Sequence, residues 1–124
     1  MHDAPSAKEL IEAVKAFIDQ TAAPQLTGHA AFHARVASNA LATVLRELEI
    51  RPEAEAAEIS RLQALLGSAK SDPELLNRQL CTEIQAGRLD LATPGLLTHL
   101  KSTTIAQLSV DQPGYSGLRT AVRS

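Results

Sequence analysis

His33, Arg35, Asn39 and Arg46 are the residues of this chain whose types and spacing could act on a small molecule together. An imidazole transfers protons near neutral pH, and a guanidinium holds a carboxylate or phosphate through paired hydrogen bonds. At 100° per residue, Arg35, Asn39 and Arg46 fall within about 40° of one another, as a polar stripe bordering an apolar arc. His29, His33 and Glu47 fall inside that arc. A buried polar group without a partner costs about 1–3 kcal/mol, so their placement predicts either hydrogen bonds within a core or a cleft that admits ligand. Two readings follow. In one, His33, Arg35, Asn39 and Arg46 line a pocket between helices; in the other, they anchor neighbouring helices in a closed bundle.

Other chemistry has weaker support. His29 and His33 are four apart and could supply half of a zinc site, but no third ligand, HExxH or CxxC accompanies them. Cys81 has no histidine close in sequence to lower its thiol pKa, and reads as packed and unreactive. Ser6, Ser71 and Ser116 lack a GxSxG setting, and the glycines stand singly at helix ends rather than in a phosphate-binding loop. No cofactor is implied. His99 and Lys101 read as solvent-facing or at the core edge, and Tyr115 as a plug or an anchor for a partner contact.

These side chains must be positioned by helices. Ser6 followed by Glu9 has capping-box spacing and opens helix 1, expected over Ser6 to Thr21. Its Ala7, Leu10, Val14, Phe17 and Ile18 predict a buried face, with Lys8, Glu12, Lys15 and Asp19 opposite. Pro24 and Gly28 bound a connection. Helix 2 is expected from His29 to Ile50, about 33 Å long, with Phe32, Val36, Ala37, Ala40, Leu41, Val44, Leu45 and Leu48 covering an arc of about 220°. Such an arc calls for packing on more than one side.

Pro52 suits the first turn of helix 3, which Gly67 should stop after Leu66. Asp72 and Pro73 open helix 4, which turns Leu76, Leu80 and Ile84 inward and stops at Gly87. Thr93 and Pro94 open helix 5, running to Ser109 with Leu96, Leu97, Leu100, Thr104 and Leu108 on one side. The fold class is therefore all-α: a five-helix, bundle-like single domain over residues 1–124, with a long central second helix and an irregular, extended tail over 111–124.

Composition agrees. The chain has 124 residues, 44% hydrophobic and 21% charged, with three aromatic residues and no Trp. Ala and Leu make up roughly a third of it, a helix-former's composition. Twelve basic and fourteen acidic residues give a net charge of -2, spread evenly, which argues against a nucleic-acid face. The first eight residues lack a signal-peptide layout and no apolar run approaches the roughly 20 residues that span a bilayer, so a cytoplasmic location is expected, with no membrane partner. A single cysteine agrees with a reducing compartment.

The run AFHARVASNALATVLRELE from Ala31 to Glu49, with PSAKELIEAVKAFI, LNRQLCTEIQAGRLDL and DQPGYSGL, resembles an uncharacterised bacterial family of small helical domains. Members are found beside or fused to aminoglycoside-phosphotransferase-like kinases, often near acyl-CoA dehydrogenases. The resemblance implies recurring positions at Phe32, His33, Arg35, Asn39, Arg46, Glu47, Asp111, Pro113 and Tyr115. It supplies no catalytic residue. What it implies is a non-catalytic accessory or protein-interaction domain for a kinase-like or acyl-CoA-enzyme partner, with homodimerisation as a close variant. The alternative is a small-molecule-binding or enzymatic bundle with its polar pocket around His33 and Arg35.

Overall fold

The structure, a computed structural model, describes residues 4–124. Among them the regular elements are all helical: α1 (Ala7–Phe17), α2 (Gly28–Leu66), α3 (Pro73–Gln85), α4 (Leu96–Asp111) and α5 (Ser116–Arg123). The expected all-α class, five helices and long second helix are all present, but the count is reached differently. The segments expected as helices 2 and 3 are one 39-residue helix with Pro52 inside it. A proline ring lacks the amide hydrogen that an interior position needs, which is why Pro52 reads as a helix start. The tail, expected as irregular, supplies the fifth helix: Tyr115 caps α5 and Leu118 is buried. None of the helices in the described residues is long and apolar enough to cross a membrane.

The helix ends follow local chemistry. Ser6 Oγ accepts from the Glu9 amide at 3.2 Å, as the capping spacing predicts. Asp72 Oδ1 accepts from the Glu74 amide at 2.9 Å, with Pro73 in the first turn of α3. Gly67 has φ +60°, and the next amide, of Ser68, reaches back to the Gln63 carbonyl at 3.1 Å. This is the left-handed stop expected there, and a side chain at Gly67 would strain it. Thr93 and Pro94 do not open α4. The helix begins at Leu96 after Gly95, whose φ is +87°.

The chain forms two compact units, Met1–Glu49 and Ile50–Ser124. In the second, Leu62 of α2, Leu76 and Leu80 of α3 and Leu96 of α4 form a buried cluster, with Ile59, Leu65, Leu66 and Leu89 packed against it. Ile84 and Leu97, expected inside, are 39% and 60% exposed. On α4 the buried positions are Leu96 and His99, three apart, so the inward face is rotated from the one that leucines alone suggest.

The first unit is built otherwise. After α1 the backbone passes through a π-helical turn at Ile18–Ala22 and a 3-10 turn at Ala23–Gln25. Among the described residues of this unit, the buried side chain is that of Ser38. Leu10, Val14 and Phe17, expected to be buried, are each more than half exposed. Asp19, exposed as expected, also accepts a hydrogen bond from Ser38 Oγ of α2 at 2.5 Å and another from Lys15 Nζ at 2.7 Å. Those bonds, Lys15 first, hold the Asp19 carboxyl below its ordinary pKa. The side of α1 with Ile11, Lys15 and Ile18 is the partly covered one. Hydrophobic spacing assigned an adjacent face, which shares Ile18 with this one but is centred on Leu10, Val14 and Phe17.

Candidate functional site

The stretch Phe32 to Leu48 is helical without a break, which keeps Arg35, Asn39 and Arg46 within about 40° of one another and sets His33 about 120–160° around the helix from them. Their surroundings differ from the expectation. His33, Arg35 and Asn39 are exposed, while Arg46 is half-buried and donates to Thr43 Oγ1 at 3.1 Å. His33 stacks edge-on against Phe32, with ring centroids 5.6 Å apart. His29 is also exposed. Among the described residues no three His, Cys, Asp or Glu side chains converge in a way that could hold a metal ion.

The cause lies in which half of the 220° arc is covered. Ala31, Ala34, Ser38, Leu41, Ala42 and Leu45 are the partly or fully buried row of this part of α2. Phe32, Val36, Val44 and Leu48, on the other half, are 53%, 49%, 38% and 44% exposed. Histidines set into an apolar arc thus sit on an uncovered surface and meet water directly. No desolvation acts on the imidazole of His33 to demand a buried partner.

Besides Ser38, the buried polar side chain among the described residues is His99, 2% exposed and expected to face solvent or cover the core edge. Its Nδ1 accepts from Arg61 Nε at 3.0 Å, and a second nitrogen of Arg61 donates to Thr103 Oγ1 at 3.2 Å. The bond fixes the neutral ring with its proton on Nε2. Beside it, Asn77 of α3 donates to Glu58 Oε1 at 3.1 Å and to the Pro73 carbonyl at 2.9 Å. Sequence reasoning passed over this network. The available signal was Glu58 and Arg61 flanking the apolar Ile59 and Leu62, four positions that a purely wet surface would not mix. Its parts tie α2 to α3 and α4, and among the described residues every buried polar side-chain atom has a partner. That is the arrangement of a structural network rather than of a reactive centre.

Burial and the nearby Arg61 charge hold His99 below its ordinary pKa of 6.5, against a smaller opposing pull from Glu58. The unfolded chain takes up this proton more readily than the folded one. Stability is therefore full above pH 6.5 and falls as the pH drops below 6.5 towards the lower folded value. Urea unfolding between about pH 7.5 and 5.5 should show that loss, and His99→Gln, which still offers Arg61 an acceptor, should remove it. An unchanged slope in the variant would assign the loss to another group.

Cys81 is exposed, contrary to the packed thiol expected, on the outer side of α3 in a shallow depression with Glu74, Asn77, Arg78 and Thr82. Lys101, also exposed, donates to the Ser124 carbonyl at 3.2 Å and to its hydroxyl. Tyr115 is half exposed, and its ring lies over Gly117, where a Cβ would stand 2.6 Å from the ring.

A protein-family model described as "Domain of unknown function (DUF6285)" matches residues 24–115. No curated protein and no solved structure matches the chain.

Proposed function

The chain belongs to the DUF6285 family, and within it we propose a non-catalytic, cytoplasmic protein-interaction domain, an accessory to a kinase-like phosphotransferase or an acyl-CoA enzyme. One observation carries the reading. The first unit keeps Leu10, Val14 and Phe17 of α1, and Phe32, Val36, Val44 and Leu48 of α2, exposed while the buried side chain among its described residues is a serine. Apolar side chains in water cost about 25 cal/mol per Å² of area that burial would recover, and rows of them mark contact surfaces. Scattered single residues would need no such account. The choice of partner follows from the sequence resemblance.

The test is co-purification of the full chain with a neighbouring aminoglycoside-phosphotransferase-like kinase or acyl-CoA dehydrogenase. The expected result is a stoichiometric complex that Val14→Asp with Phe17→Asp abolishes while the helical circular dichroism signal is kept. A chain that captures neither enzyme, yet binds a phosphorylated small molecule or an acyl-CoA through His33 and Arg35, would overturn it in favour of the ligand-binding reading.

A further inference from the structure

We propose that the outward row of α2, Phe32, Val36, Ala40, Val44 and Leu48, pairs with the same row of a second copy of this chain, antiparallel, about a two-fold axis through Ala40. The inference rests on the exposed apolar rows being interaction surfaces, and it names the occupant of one of them.

The row is its own complement. Its five residues are spaced by four, and all are exposed. Their sizes run large, medium, small, medium, large. An isologous contact requires each residue i to meet a residue j, and j to meet i. Centred on Ala40, Val36 meets Val44 of the second copy, Phe32 meets Leu48, and Ala40 meets itself. The smallest side chain thus lies where the helices come closest, and the bulkier ones fill the diverging flanks. Residues at i±4 form the ridge used when two helices interdigitate like with like, at an axial separation of about 8–10 Å. Shifting the register by one turn, to centre on Val36 or Val44, would place two valines at the crossing and leave Phe32 or Leu48 without a mate.

Polar pairing is compatible with the same register. Centring on Ala40 sets His33 opposite Glu47 of the second copy, at both ends of the contact, where an imidazole N–H can donate to a carboxylate that also keeps an interaction within its own chain. The area fits as well. The four larger side chains, each roughly half exposed, offer on the order of 300 Å² of apolar surface. That suits the apolar centre of an interface of about 800 Å² per partner with a polar rim. Asn39, exposed at the border of the row, lies where such a rim would be.

The full chain is measured by size-exclusion chromatography with light scattering over a hundredfold range of concentration. A dimer of twice the 13.2 kDa chain mass is expected at the upper end. Ala40→Glu, which sets two carboxylates face to face at the axis, should shift the apparent dissociation constant at least 100-fold towards monomer with unchanged helical circular dichroism. Leu97→Glu, at an exposed apolar site on α4, should leave it unchanged. For register, Ala40→Cys in a Cys81→Ser background should couple to itself with a short bismaleimide, and Leu48→Cys in that background should not.

A chain that stays monomeric at every concentration, a dimer indifferent to Ala40→Glu, or one coupled through Leu48→Cys instead of Ala40→Cys would each overturn the proposal. A monomeric chain that still forms the complex lost with Val14→Asp and Phe17→Asp would sink this inference alone. Loss of that complex with a dimer sensitive to Ala40→Glu would sink the enzyme partner alone.

Discussion

Leu62→Ala should destabilise the protein by about 3–5 kcal/mol and lower its thermal midpoint by more than about 10 °C. Leu62 is fully buried, and the side chains buried around it in its cluster are three leucines, Leu76, Leu80 and Leu96. Truncation removes part of the contact that joins α2 to α3 and α4, and leaves a void that the three remaining helix-borne leucines can close only in part. Domains of this size hold about 5–15 kcal/mol in total, so one residue governs a large share. Leu97→Ala, at a leucine 60% exposed on α4, is the matched control and should cost no more than about 0.5 kcal/mol. Chemical denaturation of the two variants decides the matter, and equal costs would mean that the cluster is not the core of its unit.

The second large effect is at Arg61. Arg61→Ala should cost about 2–3 kcal/mol, because it leaves His99 Nδ1 in a nearly dry site without a donor and also strips Thr103 of one. Arg61→Lys should recover only part of this: an ammonium has no planar fork with which to serve the ring and the hydroxyl at once. Replacing both partners, as Arg61→Met with His99→Leu, should be less damaging than the sum of the two single changes, since no ring nitrogen is then abandoned and Thr103 alone loses a donor. A double-mutant cycle measures the difference directly. Additive costs would show that the two side chains are neighbours without being coupled.

Which features could be read from the sequence follows from the range of the forces involved. Helix ends were legible where the chemistry is local: the hydroxyl of Ser6, the carboxylate of Asp72 and the free backbone of Gly67 each act within a few residues. The continuity of α2 through Pro52 was not, because a proline interior to a helix and one at its start look alike without tertiary packing to compare them. The facing of α1 was misread for a related reason. Periodicity shows that one side is apolar, and the inference that this side faces inward assumes that the chain covers it. Here Asp19 is held to Ser38 instead, and the row containing Phe17 is left bare. For the candidate site, the grouping of His33, Arg35 and Asn39 on one stretch of helix could be read from their spacing, but their exposure could not. It depends on which half of an overly wide arc the protein itself uses. Burial of His99 depends on Arg61, thirty-eight positions away, and leaves no mark in the local pattern.

Pro52 has a consequence for how α2 breathes. With no amide hydrogen to offer the carbonyl of Leu48, it interrupts the backbone ladder within a few residues of the boundary between the two units. An unzipping that starts at Gly28 therefore meets a gap before it reaches the leucines near the other end, and one that starts at Leu66 meets the same gap from the opposite side. Along its 39 residues α2 is one helix, but its weakest rung is fixed by Pro52, and amide exchange that reports fraying from either end should be fastest to cross into the other half there.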